Sequence, residues 1–188
     1  MKSISQLSKI TAALLLTALT GCVFTIPKGA HYSGLHVTLV SQATLSFQAT
    51  FDNSAIYTTV NPVNQTAINK LYGFSDCLTV HHDNSARFGW TWNLVTLKID
   101  LWAYTYANGG AFHDVYIGSI NPNETHQYEI QTSGLTYLFL LDGVQVAVAE
   151  RGCSDAVANG YRLYPYFGGV ETAPHAITIT VTENSPNV

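Results

Sequence analysis

Between Leu97 and Val148, apolar and polar residues alternate with the two-residue period of a β-strand, interrupted at short intervals by turn-forming residues. Leu97, Ile99, Leu101 and Ala103 interleave with Lys98, Asp100, Trp102 and Tyr104. After Asn108-Gly109-Gly110, Val115 and Ile117 interleave with Asp114 and Tyr116. Pro122 and Asn123 stop that strand, and Tyr128 and Ile130 resume between Gln127, Glu129 and Gln131. Tyr137 to Leu141 is apolar on both faces and runs into Asp142-Gly143, a pair suited to the positive φ angles of a two-residue hairpin. Val144, Val146 and Val148 then return. The pattern predicts an antiparallel meander. Upstream, Leu35, Val37 and Leu39, then Leu45, Phe47, Ala49 and Phe51, predict two earlier strands. Phe88, Trp90, Trp92 and Leu94 predict the core face of another, and Ile177, Ile179 and Val181 a closing strand. Gln65 to Tyr72, with Ala67, Ile68 and Leu71 on one side, predicts a short helix. The expected class is all-β, a two-sheet antiparallel β-sandwich over residues 35–188.

What precedes this pattern reads as targeting. Lys2 and Lys9 come before the apolar run Ile10 to Leu19, which is too short to span a bilayer and has the shape of a secretory signal over residues 1–21. Leu19-Thr20-Gly21-Cys22 resembles a bacterial lipobox, which implies lipidation of Cys22 and a tether over residues 22–34; an ordinary signal peptide with an incidental cysteine is the alternative. Val23 stands after Cys22, and not an Asp that would favour inner-membrane retention. The expected location is therefore the cell envelope, lipid-anchored, at the outer membrane. In such an oxidising compartment Cys77 and Cys153 are expected to form a disulfide, worth about 4 kcal/mol by loop closure; two separate buried thiols are the alternative. Charged residues make up only 11% of the 188-residue chain, and 47% is apolar. Past residue 21, six Lys and Arg stand against twelve Asp and Glu, a net charge of −6. That balance provides no basic stripe for nucleic acid.

Two groups of residues carry candidate chemistry. Asp76, His81, His82, Asp83, Asn84 and Arg87 fall within a dozen positions. Adjacent histidines on a strand point to opposite faces, which disfavours a metal, and none is assigned. His81 or His82 as a base, with Arg87 as a fork for a uronate carboxylate, is the enzymatic reading, to which Tyr166 of the Tyr164-Pro165-Tyr166-Phe167-Gly168-Gly169 stretch is added. The alternative is a polar loop with Arg87 in an ion pair. Trp102, Tyr104 and Tyr106 form the second group. They share a strand face with Lys98 and Asp100, and flat rings beside charge suit a wet surface on which sugars stack; packing under a second sheet or a loop is the alternative.

The passage from Glu124 to Val146, with Thr125-His126-Gln127-Tyr128-Glu129-Ile130, Tyr137-Leu138-Phe139 and Asp142-Gly143-Val144, resembles the strand, strand and hairpin of concanavalin-A-like jelly rolls. These include laminin-G modules, legume lectins, glucanases and polysaccharide lyases. The resemblance implies a jelly-roll sandwich and a carbohydrate or envelope component as partner. The glucanase Glu-x-Asp-x-x-Glu pattern is absent, as are the lyase Arg-x-Glu-x-Arg and Gln-x-His strands. The residues imply no cofactor, and a structural calcium site is left open. The expectation is a carbohydrate-binding or surface-interaction module, with a polysaccharide lyase or hydrolase, or a structural envelope lipoprotein, as alternatives.

Overall fold

The computed structural model describes residues 21–184, and the expected signal residues Lys2, Lys9 and Ile10 to Leu19 lie outside them. The described residues form twelve strands: β1 (Cys22–Ile26), β2 (Leu39–Gln42), β3 (Thr44–Phe51), β4 (Asn69–Ser75), β5 (Ser85–Asn93), β6 (Lys98–Ala107), β7 (Ala111–Ile120), β8 (Thr125–Ser133), β9 (Thr136–Leu141), β10 (Val144–Glu150), β11 (Ala158–Leu163) and β12 (Ile177–Glu183). They make two six-stranded sheets, β1-β12-β3-β8-β9-β10 and β2-β11-β4-β5-β6-β7, antiparallel throughout. The chain crosses repeatedly between the layers, giving a jelly-roll sandwich.

Alternation fills the space between the sheets. Phe47 stacks on Tyr128 at 5.2 Å between ring centroids, and Phe88 meets Tyr128 and Phe139 edge-on at 5.0 and 5.1 Å. Phe47, Phe88, Trp90, Tyr128 and Phe139 are all fully buried, each ring contributing about 1.5–3 kcal/mol. The hairpin at Asp142-Gly143 has φ of 51° and 78°, the two left-handed residues that a tight turn between twisted strands requires.

Four expectations are corrected. Gln65 to Tyr72 is not a helix: Pro62–Thr66 is a 3-10 turn capped by Asn61, and from Asn69 the chain is strand β4 paired with β5. Gln65 turns inward, bonding the Thr59 N–H and the Tyr57 and Trp92 carbonyls, so tertiary partners override local propensity. Leu35 and Val37 lie in a loop, 94% and 78% exposed, and pairing begins only at Leu39. Leu94 is exposed in the turn after β5, while Phe88, Trp90 and Trp92 face the core. The segment 22–34 does not begin as a tether, because Cys22–Ile26 pairs with β12 and buries Phe24 and Ile26.

One polar cluster ties the layers together. Asp76, directly after β4, is fully buried and accepts from Arg151 Nε at 2.7 Å, the Tyr137 hydroxyl at 2.9 Å and the Asn159 N–H at 3.0 Å. Arg151, just beyond β10, spends its other donors on the Gly134, Asp155 and Val157 carbonyls. Beside it the Cys77–Cys153 disulfide joins Cα atoms 5.8 Å apart across 76 residues of sequence. An Arg151→Ala change leaves the Asp76 carboxylate buried without its charge partner. The expected loss is about 3–5 kcal/mol, seen as a lower urea midpoint at unchanged slope. A loss below about 1 kcal/mol would show that the cluster is dispensable.

Candidate functional site

The outer face of the second sheet is laid out by register. Residues on β4 to β7 that point away from the core fall into rows across the strands: Ser75, Ser85, Tyr106 and Phe112; then Gly73, Arg87, Tyr104 and Asp114; then Lys70, Gly89, Trp102 and Tyr116; then Thr91, Asp100 and Ser119. Rows are about 7 Å apart along a strand and columns about 5 Å apart across strands. Tyr161 of β11 and Tyr166, which bridges to Lys70, close the β4 side. The loop 77–84 stands at the end of the first row, with His82 packed edge-on against Tyr106 at 5.4 Å.

The centre of this face is cationic. Arg87 is only 6% exposed and its Nε has no hydrogen-bond partner among the described residues. Its guanidinium lies 5.0 Å from the centroid of the Tyr104 ring; Lys70 Nζ lies 5.0 Å from the same ring and 5.7 Å from that of Tyr166. Lys70 also donates to the Gly168 carbonyl at 3.1 Å. No carboxylate pairs with either cation among the described residues, so the ion pair considered for Arg87 does not form. Gly73 makes this packing possible, because a Cβ there would sit 2.7 Å from Arg87 Cγ and closer still to the Ala86 carbonyl. Burial, then repulsion from Arg87, pushes Lys70 down to about 8. Burial lowers Arg87 against the opposing pull of four tyrosines, and it raises the Tyr104 phenol, which also contacts the Tyr106 hydroxyl at 3.5 Å.

The histidines occupy the rim. The His81 N–H donates to the Tyr161 hydroxyl at 3.0 Å, and His81 Nδ1 lies 2.8 Å from the same oxygen. Burial, Arg87 and His82 push His81 down to about 4, so its imidazole is neutral at pH 7. The fold therefore brings His81, His82, Arg87, Tyr166, Tyr104 and Tyr106 to one face. Tyr104 is 7% exposed, but beneath neighbouring side chains on the same face and not under another sheet. Trp102 is half-buried; it meets Tyr116 edge-on at 5.5 Å and donates its indole N–H to Thr91. Sequence reading missed Lys70, Tyr161, Phe112 and Tyr116. A single lysine in Asn69–Ser75 is the one signal for Lys70, and the helical spacing of Gln65 to Tyr72 hides it.

No protein-family model matches this chain, and no curated protein matches it in sequence. Solved structures do match in fold. The alginate lyase AlyC3 superposes with a TM-score of 0.62 at 12% identity, over 87% of this chain and 74% of that one. A Bacteroides ovatus mixed-linkage glucan GH16 protein, solved with a product, gives 0.53 at 8% identity, over 88% and 80%. The Crh5 transglycosylase gives 0.52 at 10% identity, over 94% and 82%. The fold is thus the concanavalin-A-like jelly roll.

Lys70 gives a measurable consequence. Its folded pKa of about 8 lies below the value near 10.4 of an unfolded chain, so the native state gives up the proton first. Below pH 8 the charged lysine opposes folding in full; between about 8 and 10.4 that opposition fades. Lys70→Met is expected to raise the urea midpoint near pH 7, by an increment that shrinks toward about pH 10. An increment independent of pH would show that Lys70 is not held at the expense of stability.

Proposed function

We propose that this face binds a segment of an acidic polysaccharide, with a uronate carboxylate seated between Arg87 and Lys70, Tyr104 backing the two cations, and sugar rings laid on Tyr106 and Trp102. One observation carries the reading: two cations packed on one tyrosine ring, one of them almost wholly buried, with no carboxylate among the described residues to neutralise them. A buried guanidinium with an unmet donor is costly, and an anionic ligand supplies what it lacks. The rings around it suit pyranose stacking. Neighbours in fold point the same way: one alginate lyase structure holds dimannuronate, at a TM-score of 0.58.

A second reading, a polysaccharide lyase on the same face, is favoured by the His81–Tyr161 pair. A neutral imidazole hydrogen-bonded to a phenol at 2.8 Å, beside a carboxylate-binding arginine, provides a proton acceptor and donor for β-elimination. We also propose that Cys22, exposed and the only cysteine outside the disulfide, carries the lipid anchor at the outer membrane. The lipobox-like Leu19 to Cys22 supports this.

Isothermal titration with oligouronates tests the binding reading. Arg87→Met is expected to weaken binding by at least about tenfold, the worth of one charge-assisted fork, without lowering the melting temperature. Affinity is also expected to fall as pH rises through about 8 and Lys70 loses its charge. Unchanged affinity in Arg87→Met would remove the basis of the proposal. Turnover, read as ultraviolet absorbance of an unsaturated uronate end and abolished in Tyr161→Phe with binding retained, separates lyase from lectin.

A further inference from the structure

The aromatic platform beside the cation pair is bracketed by acids. Trp102 of β6 and Tyr116 of β7 lie side by side in the row that contains Lys70. Asp100 is two residues from Trp102 on the same face, and Asp114 is two residues from Tyr116, each about 7 Å away along its strand. Asp100 is held in place, accepting from Asn93 Nδ2 at 2.8 Å and from the Ser119 hydroxyl, which in turn contacts the Tyr116 hydroxyl at 2.8 Å. Asp114 sits beside Tyr104, about 10 Å or two strand spacings from Arg87. Neither acid makes an ion pair among the described residues. One end of the face thus draws a carboxylate, and the next platform repels one.

Resting on the binding reading above, we infer that Asp100 and Asp114 are specificity-determining residues. They select a heteroglycan in which an acidic sugar is flanked by neutral sugars, over a homopolyuronate. A chain that seats one carboxylate on Arg87 and Lys70 and continues onto Trp102 and Tyr116 brings its next sugar between two negative groups. A neutral hexose stacks there without penalty, whereas a second uronate meets like charge on both sides. This is discrimination by repulsion added to attraction at the neighbouring position.

Two oligosaccharides of equal length test this by titration: one of uronates only, and one of uronates alternating with neutral hexoses. The native protein is expected to prefer the alternating chain by roughly fivefold or more at low salt, with the preference shrinking as salt rises. Asp114→Asn, an isosteric change at an exposed side chain, is expected to strengthen binding of the all-uronate chain and leave the alternating chain unchanged. Asp100→Asn is expected to act in the same direction. Equal affinities in the native protein, or a ratio unmoved by both variants, would overturn the specificity inference while leaving Arg87-dependent binding standing. If Arg87→Met weakens neither ligand, the binding reading falls, and the inference falls with it.

Discussion

Asp76 is the carboxylate on which both layers and the candidate site depend. It sits at the end of β4 in the second sheet, yet its hydrogen bonds reach Tyr137 of the first sheet, Arg151 after β10 and Asn159 of β11. A buried charge is tolerated only when its lone pairs are filled, and here they are. The same residue begins the loop that carries His81 and His82, whose first residues, Cys77 and Leu78, have φ of 56° and 55°. Ordinary side chains enter that region at a cost, so the loop keeps its course because the Asp76 bonds and the disulfide over-determine it. Through this loop a structural cluster fixes where the His81 imidazole meets Tyr161.

The cationic centre has the opposite character. Arg87 and Lys70 are held by rings, backbone and a missing Cβ at Gly73, with no countercharge among the described residues. Stability alone would favour apolar residues at both positions, as it does at the facing core positions Phe88 and Trp90 of β5. A sheet that fills one face with apolar side chains and leaves two crowded cations on the other separates the two by strand parity: odd positions of β5 point to the outer face, where neighbouring side chains cover Arg87, and even positions meet the core.

That parity is why so much of the fold was legible in the sequence. The alternation through β6 to β10 and the Asp142-Gly143 turn each express a local rule, and local rules survive without knowledge of partners. Leu35 and Val37 alternate equally well but have no neighbouring strand on which to register. Gln65 to Tyr72 has helical spacing, but Asn69 to Tyr72 find a ladder in β5. The site was legible in its members and not in its assembly. Arg87, Tyr104, Tyr106 and the histidines were identifiable as polar or aromatic residues of note. Their convergence with Lys70 and Tyr161 depends on the pairing of β4 with β5 and of β11 with β4, contacts between residues ten or more positions apart. The absence of a carboxylate near Arg87 is likewise a three-dimensional fact, since Asp76 and Asp83 are close in sequence but Asp76 is committed to Arg151.

Cys22 opens strand β1 at the edge of the first sheet, whereas the candidate site lies on the outer face of the second. Any pull applied through the chain at Cys22 therefore enters one layer, and any pull from a polymer held at Arg87 enters the other. The load path runs through the five-residue pairing of β1 with β12, across the aromatic interior, and through the Asp76–Arg151 cluster with its adjoining covalent bridge. Of these links the β1–β12 pairing is a five-residue ladder at a sheet edge with no covalent bond across it, which makes it the mechanical fuse of the molecule. Tension entering at Cys22 is therefore expected to strip β1 from the edge first, while the outer face of the second sheet and the clasp behind it keep their shape.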